Sequence, residues 1–88
     1  MNLAYSTRAR EEVMALPKEI ASRILRKMDW YVAQDNPLSF AKPLQGNLNG
    51  IFRFRIGDFR AFCEVHNHQI RILFVLSIKH RSKAYKSP

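Results

Sequence analysis

The stretch "IFRFRIGDFRAFCEV", residues 51–65, decides the fold. Phe52, Phe54 and Ile56 share one parity, and Arg53 and Arg55 share the other. Gly57 and Asp58 then break the run, after which Phe59, Ala61, Cys63 and Val65 alternate with Arg60, Phe62, Glu64 and His66. A period of two marks extended chain whose side chains point to opposite faces, and a two-residue Gly-containing turn between two such runs marks a hairpin. One face of this hairpin is greasy, and the other gathers Arg53, Arg55 and Arg60.

Beyond the hairpin, His66, Asn67, His68 and Gln69 predict a turn, and "IRILFVLSIK", residues 70–79, is an almost unbroken apolar run that suits a central strand. Lys79 joins the arginine face if that strand keeps its alternation to the end. The segment "HRSKAYKSP", residues 80–88, is basic and reads as a helical turn or an irregular tail.

Toward the N-terminus the period lengthens. Residues 2–5 suit a short first strand, and Ser6 or Thr7 caps a helix with Ala9, Val13 and Leu16 on its inner side and Glu11 and Glu12 near the positive end of its dipole. Pro17 interrupts, since it fits a first turn but not a helix interior. A second helix from about Lys18 to Gln34 carries Ile20, Ile24, Met28 and Tyr31 at helical spacing, widened by Leu25 and Val32, with Arg23, Arg26 and Lys27 on the other side. Asp35, Asn36 and Pro37 end it, and a further short strand is expected around Ala41 to Leu44. The order β-α-α-β-β-β predicts one α+β domain over residues 1–88, its helices covering Phe52, Phe54, Phe59, Ala61 and Ile72.

Eighty-eight residues bury only about 60% of the unfolded chain's surface, so a second core has no room. Hydrophobic residues make up 47% and charged residues 25%, with 3 Gly and 4 Pro, a globular balance rather than a disordered one. Lys and Arg number 15 against 7 Asp and Glu, a net charge of +8. The excess is uneven: residues 1–50 carry seven basic and five acidic side chains, residues 51–88 eight and two. Such a field draws polyanions, nucleic acid or an acidic protein. A lone Cys63 excludes an internal disulfide framework, and neither a signal core nor a membrane-spanning run is visible, so the chain reads as cytoplasmic.

The arginine face has two readings, a solvated sheet surface guarded by charge or a phosphate-binding one. Arginine rather than lysine suits phosphate, because guanidinium presents a rigid fork of donors. Phe62 on the same face either stacks a base or lies under the tail or the first strand. His66 and His68 have a spacing that can bind metal, but His80 is the only other imidazole and Cys63 faces the core, so no metal and no cofactor are expected. Ser77 and Cys63 have no readable base beside them. RNA removes the need for a protein nucleophile, since its own 2′-hydroxyl attacks; a proton acceptor, cations for the developing charge and a donor for the departing 5′-oxygen suffice.

"LQGNLNGIFRFRIGDFRAFCEV" followed by "ILFVLSIKHRSKAY" resembles the RelE/ParE superfamily of toxin–antitoxin toxins. Leu44, Gly46 and Gly50 precede the arginine strand, the Gly57-Asp58 turn and the Phe59-Arg60 pair follow, and His80-Arg81 closes the last strand four residues before Tyr85. The resemblance implies a microbial-ribonuclease-like fold: a short N-terminal strand, two helices on a mainly antiparallel sheet of about four strands, and a basic C-terminal tail. For RelE members it implies cleavage of messenger RNA in the ribosomal A site, leaving a 2′,3′-cyclic phosphate, with a cognate antitoxin as partner. The family's strand cations correspond to Arg53 and Arg55, the arginine of its aromatic-arginine pair to Arg60, and a further arginine to Lys79 or Arg81. Tyr85 matches the C-terminal tyrosine, and Lys83 adds a basic RNA contact.

One departure matters. The best-known RelE pattern has lysines on the strand, whereas Arg53 and Arg55 stay protonated and cannot accept a proton. The base is then Lys79, if Arg53, Arg55 and Arg81 crowd it, or His80, while Tyr85 stacks on a base or orients the hydroxyl. Retention of Arg60, Arg81 and Tyr85 favours the RelE side over a ParE-like, non-enzymatic inhibitor of DNA gyrase; a basic module that only sequesters nucleic acid is the third reading. Either toxin implies an antitoxin with an acidic or amphipathic segment that wraps the basic surface, and Trp30 belongs either to that contact or to the core.

Overall fold

A computed structural model describes residues 1–67 and 69–84. Its elements are β1 (Asn2–Tyr5), α1 (Thr7–Met14), α2 (Lys18–Val32), β2 (Lys42–Pro43), β3 (Ile51–Ile56), β4 (Phe59–Asn67), β5 (Arg71–His80) and α3 (Arg81–Ala84), with 3-10 turns at Pro37–Phe40 and Gly46–Leu48. The strands form one sheet in the order β1-β5-β4-β3-β2. β1 runs parallel to β5, and every other neighbouring pair is antiparallel. The α+β class follows from the change of period, and the fifth strand is the two-residue β2 that Ala41 to Leu44 foreshadows. Among the described residues no helix is long and apolar enough to cross a membrane.

The hairpin forms as its alternation requires. Phe54 pairs with Ala61 and Arg55 with Arg60, and Gly57 takes a φ of +57°, the left-handed value its turn demands. β4 continues through Asn67, so His66 and Asn67 belong to the strand and not to the turn expected there; His68 lies outside the described residues.

Phe54, Ile56, Ala61 and Cys63 of the hairpin and Leu73, Val75 and Ile78 of β5 meet Ala9 and Val13 of α1 and Ile24, Met28 and Tyr31 of α2 in one core. Full burial of Phe54 or Leu73 contributes about 2–3 kcal/mol each. Ser6, not Thr7, caps α1: its hydroxyl accepts from the Ala9 amide at 3.0 Å. Leu25 corrects the expected width of the α2 stripe, since one residue past Ile24 turns its side chain about 100° away from the sheet and leaves it 39% exposed.

β5 contains the second correction. Phe62 pairs with Ser77 but Cys63 pairs with Val75, so Leu76 is an extra residue and the register slips there. Before the slip Leu73 and Val75 face the helices; after it Ile78 does. Ile72 therefore lies on the open face, not beneath the helices, while Lys79 still reaches the arginine side.

The slip sits where β5 loses a neighbour. β1 stops at Tyr5 opposite Val75, and α1 takes its place along the rest of β5. Its side chains complete the edge: Ser6 Oγ donates to the Leu76 carbonyl at 2.9 Å, and a Glu12 carboxylate oxygen accepts the Ile78 amide at 2.9 Å. A four-residue strand and a ten-residue strand thus share an edge, and where the shorter one ends side chains meet the Leu76 carbonyl and the Ile78 amide.

Candidate functional site

Cross-strand pairing arranges the open face in two rows. Lys42, Arg53, Phe62 and Ser77 stand opposite one another across β2 to β5, and Arg55, Arg60 and Lys79 form the adjacent row across β3 to β5. Residues directly opposite in a sheet have Cβ atoms about 5 Å apart, so each row concentrates charge in a line. Phe40, Ala41, Lys42, Arg53, Arg55 and Arg60 enclose a pocket of about 300 Å³ at the β3 edge. Beside it an apolar groove of about 620 Å³ runs over Leu44, Leu48, Ile51, Phe62 and Leu76, with Lys79 and Lys83 at its margin.

The expected cations do not all stand alike. Arg55 is exposed, and Arg53 is half-buried. Arg60 corrects the picture of three exposed guanidinium groups: it is only 7% exposed, and its Nη1 donates to the carbonyls of Gly57 and Phe59, both at 2.9 Å. Alternation places it on the open face, but its side chain folds back on its own turn and fixes the floor of the pocket. Arg55 is held from behind, where the Tyr31 hydroxyl donates to its carbonyl at 2.6 Å. β2 reaches only Arg53 on that edge, and Tyr31 supplies the donor that a longer strand would have given. Burial raises the pKa of the Tyr31 phenol, which the nearby Arg55 partly offsets.

Lys79, at the end of the second row, is engaged by a carboxylate of α1. Its ammonium donates to Glu12, whose carboxylate also accepts from Ser77 Oγ at 3.0 Å and from the Ile78 amide. Partial burial, the largest single influence, pushes the Glu12 carboxyl upward, but the hydrogen bonds from Lys79, Ile78 and Ser77 and the charge of Lys79 together hold it below the ordinary carboxylate value.

His80 is on the wrong side for a base among the arginines. It pairs with Phe59, one position out of step with Arg60 and Lys79, and its ring meets Phe59 edge-on at 5.3 Å. Its Nδ1 accepts the Ser82 amide at 3.1 Å, so the imidazole caps the turn of α3. Arg81 stands at the hairpin end, its amide donating to the Asp58 carbonyl at 2.7 Å and its Nε lying 3.7 Å from the Asp58 carboxylate. Tyr85 lies outside the described residues. Burial pushes the Cys63 thiol up to about 12, which leaves it inert as a nucleophile. His66 is engaged by Glu64 at 2.7 Å and stacks on Phe74. Among the described residues no three His, Cys, Asp or Glu side chains cluster as metal ligands.

Three contributors escape sequence reasoning. Lys42 joins the arginine row only through the two-residue strand that aligns it with Arg53. Phe40 reaches the pocket from a 3-10 turn with no period to read. Glu12 lies past the middle of α1, whose first turn holds no acidic residue, so neither it nor Glu11 sits at the positive end of the dipole as the sequence suggests; the early end of β1 lets Glu12 reach β5 instead. Trp30, placed either in the core or on the surface, is 45% exposed and packs against Tyr31 and Phe40 with Lys27 over its ring.

Residues 3–85 match a family model described as the ParE toxin of the type II toxin–antitoxin system parDE. Among solved structures, the toxin–antitoxin complex RelBE2 from Mycobacterium tuberculosis aligns at 25% identity over 92% of this chain and 91% of that one, with a TM-score of 0.76. The archaeal RelE–RelB complex from Pyrococcus horikoshii aligns at 24% identity over 94% and 97%, TM-score 0.65, and YafQ from E. coli at 14% over 97% and 98%, TM-score 0.71. No curated protein sequence matches.

Proposed function

The chain belongs to the ParE toxin family of type II toxin–antitoxin systems, and from the chemistry of its basic face we propose that, as a toxin, it cuts messenger RNA in the ribosomal A site. The observation that carries this reading is the pocket of about 300 Å³ in which Lys42, Arg53, Arg55 and the pinned Arg60 converge on one space. The RNA 2′-hydroxyl attacks the adjacent phosphorus, the bond to the 5′-oxygen breaks, and a 2′,3′-cyclic phosphate remains. Charge gathers on the equatorial oxygens in that transition state, and preorganised guanidinium groups meet it without reorganising.

Arg53, Arg55 and Arg60 stabilise that charge. Lys79 already donates to Glu12 and suits protonation of the leaving 5′-oxygen, while Arg81 and Lys83 hold flanking phosphates and Phe62 offers a stacking surface. His80 caps α3 on the opposite face and takes no part. Tyr85 then accepts the 2′-hydroxyl proton or orients that hydroxyl. The groove and the pocket on this face are both open to solvent, so the ribosome supplies the alignment of the message. A cognate antitoxin with an acidic or amphipathic segment covers the same face; the RelBE2 and RelE–RelB structures, both toxin–antitoxin complexes, support such a partner.

Primer extension on defined messages, with and without programmed 70S ribosomes, tests the proposal. Cuts confined to the A-site codon and dependent on ribosomes are expected. The match to a family described by the name ParE favours a second reading, a non-enzymatic inhibitor of DNA gyrase; blocked supercoiling with no cut message would replace the first reading by that one.

A further inference from the structure

We propose that Phe40 is the base-stacking platform of the basic pocket: a phosphate of single-stranded RNA sits among Lys42, Arg53 and Arg55 while the base of the same nucleotide lies on the Phe40 ring. The inference rests on the RNA-binding reading of this face and names a contact that reading does not contain.

Four observations converge on it. Phe40 is a large aromatic side chain left 46% exposed, and it lines the pocket whose other side chains are Ala41 and four cations. Its orientation is fixed, because Trp30 packs against it at 5.2 Å with planes 72° apart and Tyr31 at 5.7 Å with planes 47° apart. Its backbone is fixed as well: Pro37 is buried, Ser39 Oγ donates to the Asn36 carbonyl at 2.7 Å, and the Ala41 amide donates to the Leu38 carbonyl at 3.1 Å. A ring held this way loses little freedom when a base settles on it.

Spacing is the fourth. Ala41 is extended, with φ −105° and ψ 158°. Phe40 and Lys42 flank that single extended residue and line the same pocket, so one nucleotide can meet the ring and the cations together. The small Ala41 between them leaves the path for the sugar open. Duplex RNA cannot offer a base to such a ring, so the ligand is single-stranded, and tolerance for all four bases is expected because each presents a π-face.

The test measures binding of a fluorescein-labelled 2′-O-methyl RNA of about six nucleotides, which resists cleavage, across a salt series. A chain of net charge +8 binds it at low salt if the face is an RNA surface. Phe40→Leu keeps the apolar contact with Trp30 and Tyr31 and is expected to weaken binding about tenfold with no change in the salt slope, whereas Phe40→Trp keeps the affinity. Arg55→Ala is expected to reduce the slope by about one charge. Replacing one nucleotide of the probe by an abasic residue should erase the difference between Phe40→Leu and the parent at a single position. The sole tryptophan, Trp30, reports on Phe40 independently through a fluorescence change on binding. Absence of any binding by the parent protein would sink the RNA reading itself. Binding by the parent with Phe40→Leu indistinguishable from it, or weakened equally on every abasic probe, would overturn the stacking assignment and leave the RNA reading standing.

Discussion

Lys79 of β5 donates its ammonium to the Glu12 carboxylate of α1, and that carboxylate simultaneously caps the Ile78 amide that β1 is too short to reach. One acidic side chain therefore completes a sheet edge and sets the position of a cation on the basic face. Glu12 has its folded pKa below the ordinary value of 4.5, so its contribution to stability is complete above that value and is lost as pH falls through the folded pKa. Urea midpoints of the parent and of Glu12→Gln, compared from pH 7 downward, should converge as the pH drops below about 4.5. At pH 7 the variant should be less stable by about 1 kcal/mol, a modest figure because the pair is partly solvated. A gap that widened on acidification would contradict the sign.

Arg55 and Arg60 face each other across β3 and β4 but do different work. Arg55→Ala removes an exposed charge and should leave the urea midpoint nearly unchanged while lowering cleavage by about 100-fold or more. Arg60→Ala removes the donor for the Gly57 and Phe59 carbonyls and should cost about 1–3 kcal/mol of stability along with activity. Equilibrium unfolding beside primer extension separates the two outcomes, and equal stability losses would show that Arg60 is not a structural fixture of the turn.

Cys63 is fully buried between the helices and the hairpin, and its thiol is pushed up to about 12 by that burial. Iodoacetamide at pH 8 should leave the native protein unlabelled and modify it rapidly in urea. The labelling rate in low urea then reports how often the core opens. Fast labelling under native conditions would mean that the sheet and helices part far more readily than their packing implies.

The hairpin was legible because Phe52, Phe54 and Ile56 alternate with arginines, so that polarity itself announces the face. β5 was not, since Ile72, Leu73, Phe74, Val75 and Leu76 are apolar on both parities and no polar residue marks the slip at Leu76. Arg60 shows a different limit: alternation assigns a face to a Cβ atom, but a long side chain can fold back onto the carbonyls of its own turn. Lys79 and His80, the two candidate bases, are separated by a simpler rule, because neighbouring strand positions point oppositely and only Lys79 pairs with Arg60. Lys42 and Phe40 belong to a segment without period, and only pairing with β3 brings them to the pocket. The family resemblance held over nearly the whole chain because it rests on the order of turns and strands, which these local details do not disturb.

Two tyrosines on the inner side of the sheet should respond to loss of the hydroxyl with opposite signs. The Tyr31 hydroxyl donates to the Arg55 carbonyl at 2.6 Å, so Tyr31→Phe removes that donor and should destabilise by about 1 kcal/mol. Tyr5 has a buried hydroxyl with no hydrogen-bond partner among the described residues, and burial raises its pKa far above the ordinary phenol value. Removing that group relieves an unpaid desolvation, so Tyr5→Phe should be neutral or stabilising by about 1 kcal/mol. Only Tyr31→Phe should also reduce cleavage, because it loosens the backbone that carries Arg55 into the pocket. Urea unfolding of both variants beside the parent decides the matter, and a Tyr5→Phe variant as destabilised as Tyr31→Phe would mean that a partner for the Tyr5 hydroxyl exists in solution.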